Sequence, residues 1–340
     1  MASGLVKGEG FAVDASVLEA NASRYHGKPP AELDWTDSQR QRRAVAEYLA
    51  SIEAAAQPTE AADGADDTDN DPETPRHRRS ERKVPKVISP SDPSSAWTAK
   101  ANKRVQFGYG LNYLIDVEQA VIVDVEATPT RTYDEVVATK TMIDRTARCF
   151  DLKPKRLIAD TAYGTGKFLG WLVKEKRITP HIRVWDKSKR EDGTFSRADF
   201  KWDGRANAYI CPSGKVLRTT GKVHDGMMLR FRASKYDCSV CPAKAQCCPN
   251  MPARQIPRDL HEDARDVARR KMTTKAFVKS RDERKRVEMR FAHLKTHHGF
   301  ERLRVRGLSG ARDEFHLAAI VQNLKTMALK LLKPPEPAPV

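Results

Sequence analysis

The 340-residue sequence predicts an α/β fold, a mixed sheet flanked by helices, with a cysteine-bearing insertion ahead of the last helices. Three observations predict it. Short apolar runs bounded by Gly, Pro and Asp alternate with helical periodicity from residue 105 to residue 185. Five of the six cysteines fall in the polar stretch 186–262, which breaks that alternation. Two long segments of helical periodicity, 274–296 and 311–332, then close the chain.

The elements follow in order. GFAVDASVLEA (10–20) is apolar enough for a buried strand. Residues 34–55 open with an Asp cap and carry Val45, Tyr48, Leu49 and Ile52 at helical spacing. Residues 57–100 are rich in Pro, Asp, Ser and Arg, a composition that cannot bury a core and predicts a disordered charged loop. VQFGYGLNYLID (105–116) and AVIVDVEATP (120–129) form a hairpin joined by residues 117–119. An amphipathic helix follows at 132–150, with Val136, Val137, Thr141, Ile143 and Ala147 toward its apolar side. KRLIAD (155–160) is a strand, 164–176 a helix and TPHIRVW (179–185) a strand. The domain division expected is 1–56, a first core strand with a helical insertion; 57–100, the loop; 101–185, the core; 186–262, the cysteine insertion; 263–333, the C-terminal helices; and 334–340, a tail.

Composition narrows the partner. There are 61 Lys and Arg against 45 Asp and Glu, a formal charge of +16. The stretch 57–75 holds seven acids and no base, so the remainder carries +23, and 265–306 alone carries +10. A field of that sign attracts polyanions, nucleic acid foremost. No apolar run approaches the ~20 residues of a membrane span, and the N-terminus lacks the apolar core of a signal peptide. These features predict a soluble, cytoplasmic protein without a membrane partner.

Three acids stand out. Asp14 interrupts an apolar strand, where a charge is costly unless paired or metal-bound. Asp160 ends RLIAD ahead of TAYGTG, the strand end at which α/β sheets place ligands, although an acid there also serves as a helix cap. Glu288 sits in RDERKRVEMRFAHLK (281–295). At 100° per residue, Arg284, Glu288 and Lys295 fall within about 40° of one another, beside the stripe Val287, Phe291 and Leu294. Glu288 reads either as the partner of Arg284 in an i,i+4 pair, about 0.3–0.5 kcal/mol, or as a metal ligand. Three carboxylates can hold two Mg²⁺ ions for phosphoryl transfer, with nearby Arg and Lys holding the phosphate backbone.

This set resembles the DDE transposases of bacterial insertion sequences, whose catalytic core is ribonuclease H-like. Their C-terminal signature, Tyr-x2-Arg-x3-Glu-x6-Lys, is matched by Arg284, Glu288 and Lys295, with Arg281 at the Tyr position. IADTAYGTG, with Asp160 and Tyr163, resembles the second motif, and FAVDAS, with Asp14, the first. The strand order of that core matches as well: three strands, helix, strand, helix, strand, insertion, helix. The resemblance covers about residues 8–332 outside the loop. It implies a ribonuclease H-like mixed sheet and metal-dependent cleavage and strand transfer at the ends of an insertion sequence. Asp14, Asp160 and Glu288 would hold Mg²⁺ or Mn²⁺, and Tyr163, Arg281, Arg284 and Lys295 would contact double-stranded DNA at element ends and target. It also implies a nucleoid-associated bacterial protein and admits a homo-oligomer on DNA. Family members usually carry an N-terminal helical recognition domain, so the chain is expected to be N-terminally truncated. A catalytically inactive DNA-binding remnant and a related nuclease are the competing readings.

Cys211, Cys238, Cys241, Cys247 and Cys248 contain a Cys-x2-Cys knuckle with further thiols, which suits tetrahedral Zn²⁺. Cys247 and Cys248 compete for one ligand place, with Cys211, Cys238 and Cys241 filling the others. Reduced thiols in an irregular insertion are the alternative. Trp202 serves either local packing or stacking on an unpaired base. His293 and His297 have i,i+4 spacing but no third ligand in register, and with His298 they read as phosphate contacts or exposed side chains.

Overall fold

The computed structural model describes residues 4–35, 42–56, 85–98, 104–129, 134–184 and 190–332. The core begins with strand β1 (Gly10–Glu19), helix α1 (Arg43–Ala56) and strand β2 (Ala96–Thr98). The hairpin β3 (Gln106–Asp116) and β4 (Val121–Pro129) follows, then α2 (Asp134–Phe150) and β5 (Arg156–Ala159). Next come α3 (Gly166–Gly170), continued by a π-helical turn Trp171–Glu175, and β6 (Thr179–Ile182).

Strand β3 pairs antiparallel with β1 on one side and with β4 and the short β2 on the other. Strand β1 then pairs parallel with β5, and β5 parallel with β6. The result is a mixed sheet ordered β4-β3-β1-β5-β6, the arrangement of a ribonuclease H-like core. The hairpin turn passes through Ala120 at φ 55°.

The cysteine insertion folds as small sheets. Strands β7 (Lys201–Asp203), β8 (Ala208–Ile210) and β9 (Val216–Leu217) form one, and β10 (Val223–His224), β11 (Met228–Arg232) and β12 (Gln255–Asp259) another. Short helices α4 (Lys235–Ser239) and α5 (Lys244–Cys247) pack against them. The insertion has its own core of Phe200, Tyr209, Leu217, Phe231 and Ile256, joined by Cys238, Cys247 and Cys248. Trp202 packs there between Tyr209 and Phe231, with the Arg258 guanidinium 3.8 Å from its ring centroid. Of its two readings, local packing is the one observed.

Three helices complete the chain: α6 (Glu262–Met272), α7 (Lys275–Thr296) and α8 (Gly307–Leu331). The sheet sorts its side chains by alternation. Ala12, Leu18, Leu111, Tyr113 and Ile158 face α7 and α8, meeting Val287, Phe291, Leu294 and Phe315. Phe11, Val13, Leu114, Leu157 and Ile182 face α2, α3 and α6, meeting Met142, Ile143, Phe168, Leu172 and Ala268.

Several sequence expectations are corrected. Residues 57–84 of the charged loop, and the tail from 333, lie outside the described residues, but 85–98 pack into the fold. Ser89, Asp92 and Ser95 are buried, and the Tyr109 hydroxyl donates to Asp92 at 2.5 Å. Polar composition misleads here because these side chains find partners in the fold. In α2 the buried side is Ala138, Thr139, Met142, Ile143 and Thr146, whereas Val137 is exposed. Thr139 tolerates burial because its hydroxyl donates to the Glu135 carbonyl. Ile52 of α1 is exposed. Helix α6 escapes the sequence pattern because its apolar face consists of Ala264 and Ala268. Helix α8 starts four residues earlier than expected, at Gly307, because distant carboxylates cap it. Asp92 accepts the Gly307 amide at 3.1 Å, and Glu47 of α1 accepts the Ser309 amide and hydroxyl, each at 2.8 Å.

Candidate active site

Register brings the first two acids to one level. Ala12 pairs with Ile158 in the parallel β1–β5 ladder, and both lie in the cluster with Val287 of α7. Two residues further along each chain stand Asp14 and Asp160, and side chains two apart on a strand share a face. Glu288 follows Val287 on the helix that covers this face. The electrostatics of Asp14 report the neighbourhood. Burial pushes its carboxyl up to about 6; the charges of Asp160 and Glu288 add to that rise, and the Ala15 amide and Arg284 oppose it. A carboxylate held among carboxylates in a desolvated place is a common property of functional sites.

Each acid has a protein partner. Asp14 accepts the Ala15 amide at 3.0 Å. Asp160 accepts the Ala162 amide at 2.8 Å, capping the short turn Thr161–Tyr163. Glu288 pairs with Arg284 at 3.0 Å. The cap reading of Asp160 and the ion-pair reading of Glu288 therefore both describe real contacts. Among the described residues, no three His, Cys, Asp or Glu side chains are arranged as a metal-ligand set.

The basic residues divide. Lys295 donates to the Ser16 hydroxyl at 2.8 Å and the Val17 carbonyl at 3.1 Å, which pins the end of α7 to β1. It also lines a cavity of about 110 Å³ with Arg104, Gln106, Glu19 and Glu301. Arg281 is half exposed, 3.6 Å from Asp282. Tyr163 is 1% exposed and packs on Phe168, so its expected contact with DNA is corrected. An aromatic in a turn is drawn into the core when Phe168 and Trp171 lie below it. The His293 and His297 rings meet at a tilt, with centroids 5.0 Å apart and planes 59° from parallel. His298 is exposed.

A buried polar knot behind the acids was not visible in the sequence. Arg156 of β5 pairs with Glu283 of α7 at 2.9 Å and donates to the Ser280 hydroxyl, which lies 2.6 Å from His181 Nδ1. Burial, then the charges of Arg156 and Lys271, push His181 down to about 4, so its ring is neutral near pH 7. The knot fixes α7 on β5 and β6 one and two turns before Glu288. No local pattern announces it, because its members come from three elements.

All five insertion cysteines line one small cavity of about 20 Å³, with Ser213, Asp237 and Arg254. The Lys215 amide donates to Cys211 Sγ at 3.2 Å, and Ser213 Oγ lies 3.4 Å from Cys241 Sγ. Burial, then its neighbour Cys248, pushes the Cys247 thiol up to about 11. The cysteines are thus gathered, as free thiols, without three of them forming a ligand set.

Comparison with known families gives a match. Residues 210–328, about a third of the chain, match the model of a transposase DDE domain. The match runs from the cysteine insertion to α8. It contains Arg284, Glu288 and Lys295 and begins after Asp14 and Asp160. No curated protein and no solved structure matches the chain.

Proposed function

We propose that the chain, whose residues 210–328 match a transposase DDE domain, cleaves and joins DNA at the ends of an insertion sequence, using Asp14, Asp160 and Glu288 as its metal-binding acids. DNA is the partner that the family implies, and a divalent metal is its typical cofactor. The observation that carries the residue assignment is the electrostatic neighbourhood of Asp14, raised by both Asp160 and Glu288. The donor set is all oxygen, as Mg²⁺ or Mn²⁺ prefers. When bound, such ions activate an attacking oxygen and stabilise a leaving one.

The chain's own residues supply the rest. In the first step water attacks the phosphodiester in line; a P–O bond to water forms as the bond to the 3′-oxygen breaks, leaving a 3′-hydroxyl. In the second step that hydroxyl attacks a phosphodiester of the target in line; its oxygen bonds to phosphorus as the target's own bond to its 3′-oxygen breaks, and the proton it gives up is balanced by the one the leaving 3′-oxygen takes from solvent. Arg284, now paired with Glu288, would turn to the phosphate once Glu288 takes up metal. Arg281 and Lys295 would hold flanking phosphates. Asp14 must lose its proton to serve, so activity should fall as pH drops through the range near 6 where the metal-free carboxyl titrates, and more metal should move that fall to lower pH.

The test is nicking and joining of a terminal-repeat duplex by the purified chain with Mg²⁺ or Mn²⁺. Loss of both products in Asp160→Asn and Glu288→Gln is expected; cleavage that persists in either variant overturns the assignment. Nicking without joined donor–target product would instead mark a nuclease.

For the insertion we propose a structural Zn²⁺ held by Cys211, Cys238, Cys241 and either Cys247 or Cys248. Support comes from the shared cavity and from the Lys215 amide aimed at Cys211 Sγ. Such an ion would stabilise a segment with a small core. Elemental analysis should give about one zinc per chain in purified protein and none in Cys238→Ser; metal-free wild-type protein of unchanged stability refutes the site.

A further inference from the structure

Two arginines of the insertion are alike in burial and unlike in company. Arg254 and Arg258 are each 7% exposed. Arg258 donates to the Tyr209 hydroxyl at 3.0 Å and pairs with Asp266 at 3.4 Å. Arg254 donates only to backbone carbonyls, Cys247 at 2.9 Å through Nη1 and Phe195 at 2.7 Å through Nη2, and its guanidinium lies 5.2 Å from the Phe200 ring centroid. None of these partners is charged, and among the described residues its Nε has no hydrogen-bond partner. A guanidinium keeps its proton throughout the range in which proteins fold. Buried without a counter-charge, it is costly. Arg156 and Arg197, also largely buried, have carboxylates in Glu283 and Glu262.

Arg254 lines the cavity that gathers the five insertion cysteines. Two other cations reach that wall among the described residues. Lys215 is exposed and pairs with Asp237 at 3.3 Å, and Lys244 is half-buried. Arg254 is the buried one. A cavity of about 20 Å³ takes about one water-sized body, which is too little room for a phosphate or sulfate. What the wall offers in abundance is thiols, and thiols become anions when they bind a metal.

We infer that Arg254 is the counter-charge of a dianionic four-thiolate metal centre in the insertion. The inference rests on the zinc reading proposed above and adds the charge of the centre and the residue that balances it. Four thiols taking up Zn²⁺ form four Zn–S bonds and release four protons to solvent, leaving a net charge of two minus on the centre. Too little water fits in the cavity to solvate that charge. Arg254 offsets half of it, with Nε donating to a thiolate sulfur while Nη1 and Nη2 stay on their carbonyls. Its bond to the Cys247 carbonyl holds it beside Cys247 and Cys248, the pair that competes for the fourth place. The need for a metal-bound anion explains why this guanidinium, unlike that of Arg258, is buried among neutral groups.

The test is the zinc affinity of the full-length chain, read by competition with a chromophoric chelator at fixed pH. Arg254→Gln can still donate to a carbonyl but carries no charge, and should weaken binding ~10–100-fold. Arg254→Lys keeps the charge and should recover most of that loss. Lys244→Gln should change affinity less than ~3-fold, because a half-buried charge is screened by solvent. A purely structural Arg254, needed only to hold the Cys247 and Phe195 carbonyls, predicts equal losses in the Gln and Lys variants. Equal losses, or a Gln variant that binds zinc as tightly as wild type, overturn the inference and leave the zinc site standing. A wild-type chain that takes up no zinc overturns both. A second measurement needs no variant to fold without its guanidinium. In wild-type chain labelled with ¹⁵N-arginine, loading with Cd²⁺ should shift the Arg254 Nε–H resonance, assigned by its absence in Arg254→Lys. A resonance that does not move on loading overturns the inference.

Discussion

Replacing Asp14 by Asn should stabilise the metal-free protein while abolishing its function. The wild-type carboxyl ionises at about 6 in the fold against 3.8 ordinarily. For an acid raised in this way the native state holds its proton longer than the unfolded chain does. Stability from this group is therefore greatest below 3.8, falls as pH rises from there to 6, and stays low above. About two units corresponds to ~3 kcal/mol at pH 8, about half that at pH 5, and little near pH 4. Partial access to solvent reduces the figure, so a gain of ~1–3 kcal/mol at pH 8 is expected. The amide oxygen can still accept from Ala15, so no hydrogen bond need be lost. The assay is urea unfolding of both proteins at pH 8 and pH 5 in chelator. His181 loses stability in the opposite direction as pH falls from 6.5 toward 4, so the difference between the two proteins, not either curve alone, is the readout. Saturating Mn²⁺ should narrow the gap at pH 8 by stabilising the wild-type chain alone. A variant no more stable than wild type at pH 8, or a gain that fails to shrink at pH 5, refutes the idea that Asp14 is held in an unfavourable charged state.

Other outcomes follow from the same geometry. Arg156→Ala leaves Glu283 buried without its guanidinium and should cost ~3 kcal/mol in chemical unfolding, with nicking reduced further than stability explains if α7 loses its seat. Glu262 is 1% exposed and pairs with Arg197, Arg265 and Arg269 at 2.6, 3.0 and 2.7 Å, so Glu262→Gln should cost ~3–5 kcal/mol by thermal or urea unfolding. Burial opposes its ionisation, but the three guanidinium groups hold its carboxyl below the ordinary 4.5; its contribution is present above 4.5 and lost as pH falls through the lowered value. Tyr163→Phe should leave DNA affinity unchanged in a filter-binding assay, because the ring is buried. Arg281→Ala should weaken binding and lower the salt slope by about 1.

Local pattern carried most of the core. Strands β1, β3, β4 and β5 announce themselves by continuous apolar runs because both faces of the sheet are covered. The stripe Val287, Phe291 and Leu294 was legible for the same reason, and with it the position of Glu288 at its border. What escaped depends on partners distant in sequence. Asp92 and Glu47 cap a helix more than 200 residues away. The Arg156–Ser280–His181 contacts join segments that share no motif. Tyr163 sits in a polar turn, and nothing local shows that Phe168 draws it inward. Helix α6 packs by alanines, which leave a weak periodic signal.

The distances in sequence across the candidate site bear on how the protein is made. Lys295 grips Ser16 across 279 residues, and β1 finds its antiparallel partner about a hundred residues downstream. Contacts of that span form late, and on the ribosome they must wait until α7 has been synthesised. Glu288 is synthesised 288 − 14 = 274 residues after Asp14. A chain cut short before α7 therefore lacks at least one of the three proposed acids.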